Sequence, residues 1–174
     1  MAIKDALLQE LEQEARTTRR LLERVPDTRL GWKPHETSMT LGQLALHVAT
    51  TPGGVAELAA KNTKEVRPTD FVQPAARTAV ELLPALEESL ARANAIVGAM
   101  DDAVMTETWT LTKDGEVVMA VPRAAFLRAI MLNHWYHHRG QLSVYLRQLN
   151  VPIPSIYGPS ADENPFVAVA ATGV

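Results

Sequence analysis

The sequence predicts an all-α fold, a four-helix bundle with a small β-hairpin inserted before the last helix. Three observations carry this. Apolar residues return at helical spacing in four separate stretches, start and stop signals bracket those stretches, and one β-branched segment contains Asp114 and Gly115, the signature of a two-residue hairpin turn. Amphipathic helices must bury their stripes against one another, and four of them do so as a bundle.

The first helix is expected from about Ile3 to Arg24, where Leu7, Leu8, Leu11, Ala15, Leu21 and Leu22 recur among charged residues, ending before Pro26. "PDTRLGWKPHETSM" carries two prolines and a glycine and reads as a loop. Thr40 caps the second helix and Gln43 completes a capping box, with Met39 and Leu44 placed to form a hydrophobic staple. This helix runs through Leu41, Leu44, Ala45, Val48, Val55, Leu58 and Ala59. Pro52 lacks a donor and crowds the Val48 carbonyl, so a kink is expected about one turn beyond His47.

"VRPTDFVQPAAR" is a further proline-punctuated loop. The third helix begins at a capping box of Thr78 and Glu81, bends or restarts at Pro84, and carries the stripe Leu82, Leu83, Leu86, Leu90, Ala93, Ile96 and Val97. "TETWTLTKDGEVVMAV" is the hairpin. The fourth helix starts with Pro122 at its first position and continues to about Asn150, stopped by Pro152, a length of roughly 40 Å. The proline-rich tail from Val151 onward is expected to lie across the bundle.

At 174 residues the chain is expected to be a single domain spanning residues 1–174, large enough for a sizeable core. Seventeen basic against twenty acidic residues, with no Lys/Arg block, argue against a nucleic-acid partner. No apolar run approaches the roughly 20 residues of a membrane span, and "MAIKDALLQELEQEA" is too charged for a signal peptide. No membrane partner and a cytoplasmic location are therefore expected. Without cysteine there is no thiolate ligand and no cysteine nucleophile, so a metal must rely on histidine, carboxylate and water.

"NHWYHHRGQLSVYLRQL" places His134 and His138 four residues apart. At about 100° per residue they fall in the middle of the apolar stripe with Leu127, Met131, Tyr145 and Leu149, while His137 lies toward its edge and Arg139 and Arg147 point away. His47 flanks the stripe of the second helix. A lone histidine facing a core is usually hydrogen-bonded to a neighbour. Two imidazoles about 6 Å apart in an apolar layer each need a partner, and neither is cheaply protonated there. A shared metal satisfies both, and the i, i+4 pair is a recurrent chelate for Zn²⁺ or Ni²⁺, with His47 as a reasonable third ligand. Spacing and phase alone leave metal binding and mutual hydrogen bonding both open. Trp135 stands where a zinc protease needs its glutamate, so that chemistry is disfavoured. Carboxylate pairs such as Glu87 with Glu88 and Asp101 with Asp102 read as solvated.

"LGQLALHVA" on the second helix, "NHWYHHRGQLSVYL" on the last and "VPIPSIYGPSADE" after it resemble, in motif order and over nearly the whole chain, the DinB family, also called DinB/YfiT-like metalloproteins. The resemblance implies a four-helix bundle with a divalent metal on one histidine of the second helix and the HxxxH pair of the last: by position His47, His134 and His138. Zn²⁺ or Ni²⁺ is favoured, with Mn²⁺ or Fe²⁺ as alternatives. His137 occupies a variable position, and Gln141 is placed to orient a ligand, line the pocket or simply pack, as is Tyr145 to pack. In "IYGPSADE", Tyr157, Asp162 and Glu163 either close the bundle end or face the pocket.

Characterised relatives of that family resemble thiol-dependent transferases or isomerases using bacillithiol, mycothiol or glutathione. The expected activity is accordingly metal-dependent transfer of a low-molecular-weight thiol, taken as co-substrate, to a small-molecule electrophile. A metal-dependent hydrolase and a non-enzymatic metal-binding stress-response protein are the alternatives. A homodimer is expected by analogy.

Overall fold

Each stretch with helical apolar spacing forms a helix in the computed structural model, which describes residues 2–166. The bundle consists of α1 (Ile3–Leu22), α2 (Leu41–Ala59), α3 (Leu82–Gly98) and a last helix running from Arg123 to Gln148. Their inward stripes meet in a core where Leu11, Leu21, Leu41, Leu44, Val48, Leu86, Val97 and Leu142 are fully buried. A short α4 (Asp102–Thr106) is capped by the Asp101 carboxylate, which accepts the Val104 N–H at 2.9 Å. The end of the tail, residues 167–174, lies outside the described residues.

The hairpin forms as β2 (Thr108–Lys113) and β3 (Glu116–Pro122), with Asp114 at φ 53° and Gly115 at φ 81°, as the turn demands. It is not alone. β1 (Thr63–Glu65) pairs parallel with β2 and makes a three-stranded sheet of order β1-β2-β3. Three residues are too few to show an alternating pattern, so this strand exists only because the fold brings it to the edge of β2. Pro68–Phe71, within an expected loop, is a 3₁₀ turn.

The start of α2 follows its capping box: Gln43 N–H donates to Thr40 Oγ1 at 3.2 Å, and Thr40 N–H donates to Gln43 Oε1 at 2.9 Å. The helix runs through Pro52. Proline has no N–H for the carbonyl four residues back, which leaves the Val48 oxygen without its intrahelical donor. That oxygen instead accepts the indole Nε1–H of Trp135 at 2.7 Å, in a fully buried contact with the last helix. The next donor is redirected too: Gly53 N–H goes to Ser89 Oγ of α3 at 2.8 Å, and Ser89 Oγ–H donates to the Thr50 carbonyl at 3.1 Å. A Cβ on Gly53 would sit 2.8 Å from the Ser89 carbonyl oxygen, so only glycine allows α2 and α3 to approach this closely.

The last helix has three parts: an α-helical turn Arg123–Phe126, a π-helical stretch Leu127–Asn133, and an α-helical segment His134–Gln148. Its first turn begins one residue after Pro122. At its end Asn150 adopts φ 58°, its N–H reaching the Arg147 carbonyl at 3.0 Å and Val151 N–H the Leu146 carbonyl at 3.0 Å, a Schellman closure.

The π-helical stretch corrects the phase expected from a uniform α-helix. Closing i→i+5 rings advances the chain by fewer degrees per residue, so the buried line passes from Leu127 and Met131 to Trp135, Arg139, Leu142 and Leu146. His134 and His138 are not mid-stripe; each is half-buried beside that line. Arg139, expected to point away, is almost completely buried, whereas Arg147 is exposed as expected.

Trp135→Phe removes the donor on which the Val48 carbonyl depends, and a buried unsatisfied carbonyl costs about 1–3 kcal/mol. Urea unfolding of Trp135→Phe should show a loss of that size. Adding Pro52→Ala, which restores a backbone N–H to Val48, should recover part of it; a double variant less stable than the sum of the singles would exclude this account.

Candidate metal centre

His47 stands on the flank of α2, one residue before Val48, and His134 stands one residue before Trp135. The Trp135 to Val48 hydrogen bond therefore sets these two histidines opposite each other. His138 follows one turn along the last helix. Ring centroids are 5.2 Å apart for His47 and His134, 4.5 Å for His47 and His138, and 4.4 Å for His134 and His138, all close to edge-on. One nitrogen from each ring can be chosen such that all three lie within 4.8 Å of one another. No other group of three or more metal-ligating side chains occurs among the described residues.

Hydrogen bonding decides which nitrogens face inward. His138 Nδ1 is 2.7 Å from Gln141 Oε1, and an amide oxygen can only accept, so Nδ1 carries the proton and Nε2 keeps its lone pair. That Nε2 lies 2.8 Å from His134 Nε2. Without a cation, one of the two facing nitrogens must hold a proton, which places the His134 hydrogen on Nε2 and strips it from Nδ1. His134 Nδ1 is indeed buried with no hydrogen bond of ordinary geometry. The Ile130 carbonyl is close enough to favour a proton on the ring, though not aligned to complete a bond. A cation held by these rings would resolve the conflict, since His134 and His138 would each give it an Nε2 lone pair and the His134 proton could return to Nδ1, on the side of the Ile130 carbonyl. The donor set of three imidazoles thus fits a divalent ion.

Electrostatics agree with ligation. Burial lowers all three pKa values, reinforced at His47 by His134, at His134 by His137, and at His138 by His47, His134 and His137. His138 falls to about 4. All three rings are therefore neutral near pH 7 and have lone pairs to give. Gln73, in the loop before α3, lies beside His47 and opposes its shift, as Gln141 does for His138. Sequence reasoning missed Gln73, because nothing in a proline-rich loop marks which residue will reach a helix elsewhere in the chain. His47 and His134 border a cavity of about 290 Å³ with Thr50, Thr51, Leu58 and Asp70.

The remaining candidates separate cleanly. His137 is exposed, its ring 4.9 Å from that of His138. Tyr145 packs edge-on against Trp32 and donates to the Met39 carbonyl at 3.3 Å. Tyr157, Asp162 and Glu163 close the bundle end. Asp162 pairs with Arg147 at 2.5 Å and accepts the Ile153 N–H, and Glu163 pairs with Arg20. Tyr157 O–H donates to Glu14 at 2.9 Å and accepts from Arg139 at 2.5 Å. Arg139 is further held by the Glu14 carboxylate at 2.5 Å, Thr18 Oγ1 at 3.2 Å and the Tyr136 ring. Glu87 is exposed and pairs with Arg19 at 2.5 Å.

The model of the DinB family matches residues 1–165. YrdA of Bacillus subtilis (strain 168) is 26% identical over 162 residues, 91% of this chain and 90% of its own. A DinB-like protein from Bacillus cereus superposes with a TM-score of 0.68 at 24% identity, over 88% of this chain and 97% of that one. YfiT from Bacillus subtilis, described as a probable metal-dependent hydrolase with an unusual four-helix bundle topology, superposes with a TM-score of 0.60 at 18% identity, over 84% and 87% of the two chains.

For the metal-free protein, a histidine whose folded pKa is depressed favours the folded state fully above its unfolded value, and that contribution is lost as pH falls through the folded value. Stability should be full above about pH 6.5 and decline toward pH 4, the window set by His138. Thermal unfolding of chelated protein across this range should show the decline, and His138→Gln should flatten it; an equally steep decline in the variant would exclude His138 as its source.

Proposed function

The chain belongs to the DinB family, and from that premise we propose that it is a metal-dependent enzyme in which His47, His134 and His138 hold one divalent ion. The observation that carries this reading is the convergence of three neutral imidazoles, one of them with an orphaned Nδ1 that ligation would repair. Three imidazoles suit Zn²⁺ or Ni²⁺, with Mn²⁺ or Fe²⁺ as alternatives. A divalent ion bound there supplies Lewis acidity, lowering the pKa of a thiol from about 8.5, or of water toward about 7, so that a nucleophile is available at neutral pH.

The protein's own residues do the positioning. Gln141 Oε1 holds His138 in the tautomer that presents Nε2, and Gln73 lies beside His47. No carboxylate belongs to the histidine group among the described residues, so the ligand set adds no negative charge. The cavity beside His47 and His134 admits a small molecule. The nucleophile we favour is a low-molecular-weight thiol, transferred to an electrophilic substrate; having no cysteine, the protein cannot supply a thiol itself. Hydrolysis is the second reading, supported by the likeness to YfiT.

Elemental analysis of purified protein should find one divalent ion per chain, reduced at least tenfold in His134→Ala. Gln141→Leu should retain the site at an affinity lower by about 10–100-fold. Incubation with bacillithiol, mycothiol or glutathione and an aryl halide should give saturable turnover that His134→Ala abolishes. Turnover of esters without any thiol would select hydrolysis, and unchanged metal content in His134→Ala would exclude the site.

A further inference from the structure

A second cavity, about 220 Å³, lies between the sheet and the pair formed by α2 and the last helix. Leu58, Trp109, Leu111, Met119, Phe126 and Ile130 line it. Leu111 and Met119 are directly paired across β2 and β3, so both project from the same face of the sheet. Trp109 is stacked on Phe126 at 3.7 Å between centroids, and its Nε1–H is already used by the Leu58 carbonyl at 3.1 Å. The aromatic wall thus offers a ligand no polar group. Two charged side chains reach the rim, Lys64 and Asp70, and they neutralise each other at 2.9 Å.

Two features tie this cavity to the histidine centre. Leu58 and Asp70 line both cavities, and Ile130 lies one turn before His134, with its carbonyl beside that ring. We propose that the apolar cavity is the subsite for the non-reacting part of the substrate, and that this part is a neutral aryl or branched-alkyl group, with the reacting group carried past Leu58 toward His47 and His134. The chemistry of the walls selects it. A charged group would lose its hydration here and meet only a lysine and an aspartate already paired. Size agrees: a cavity of about 150 Å³ lined by aliphatic and aromatic side chains takes up benzene, so the volume here accommodates an aryl ring with a short alkyl substituent. The inference deepens the proposed function and rests on it for the identity of the reacting end.

Methyl NMR of full-length protein labelled at Leu, Ile and Met tests the subsite without turnover. Titration with toluene should give saturable shifts at Met119, Leu111 and Ile130, with benzoate and benzylamine binding at least tenfold more weakly. Met119→Trp, which fills the cavity, should weaken toluene at least tenfold, and Leu111→Phe serves as the second filling variant should the first not fold. His134→Ala should bind toluene as wild type does. Absence of saturable shifts in wild type, equal binding of the three probes, or unchanged binding in a folded filling variant would overturn the proposal. So would concentration-dependent shifts without ligand, which assign the cavity to a second copy of the chain. Protein that binds toluene but no metal would remove the metal reading while leaving the apolar subsite. With electrophiles that differ only in their apolar part, kcat/KM should rise about tenfold from methyl to benzyl, and Met119→Trp should erase that preference.

Discussion

The hydrogen bond from the Trp135 indole to the Val48 carbonyl fixes the register between α2 and the last helix, and the histidine centre depends on that register. Its acceptor is available because Pro52 cannot occupy it from within α2. An irregularity that would weaken an isolated helix is here the means of joining two helices, since a buried carbonyl deprived of one donor strongly favours another. His47 and His134 each immediately precede one end of this bond. A sliding of one helix by a single turn, about 5.4 Å, would carry the His47 ring away from those of His134 and His138, whose centroids now lie 5.2 Å and 4.5 Å from it.

The same neighbourhood shows how a helix places polar side chains beside a core without leaving them unpartnered. The π-helical stretch rotates the pair of histidines off the buried line and toward α2, while the adjacent Arg139 turns inward. A buried guanidinium is tolerated only when charge and donors are met, and Glu14, Thr18, Tyr157 and the Tyr136 ring meet them. Arg139 thereby anchors the tail to α1 and the last helix. The "IYGPSADE" segment is explained by this closure, together with the Arg147–Asp162 and Arg20–Glu163 pairs, and not by chemistry at the histidines.

Much of the bundle was legible locally. The Thr40–Gln43 capping box, the Asp114-Gly115 turn and the four helical stretches are short-range signals, each set by backbone donors or by burial of one face, and each forms where the sequence places it. What local spacing leaves open is set by long-range effects. β1 has too few residues to announce itself, and Gln73 sits in a loop whose path no local pattern determines. The phase of the last helix is a subtler case: the i→i+5 rings of Leu127–Asn133 break the equal angular steps of an α-helix, which displaces His134, His138 and Arg139 from the positions that uniform spacing predicts.

The sequence by itself determined that this chain makes four amphipathic helices with a hairpin between the third and the last, that it offers histidine but no cysteine to a metal, and that three of its histidines stand in a recognisable order. Those properties reside in spacing and composition, which act over a turn or two of chain. Tertiary structure alone decided that the three rings meet, that Arg139 rather than the histidines lies on the buried line, and that an apolar cavity opens beside the centre. Each of these is a relation between residues far apart in the chain, set by which buried polar atoms find partners when the helices pack.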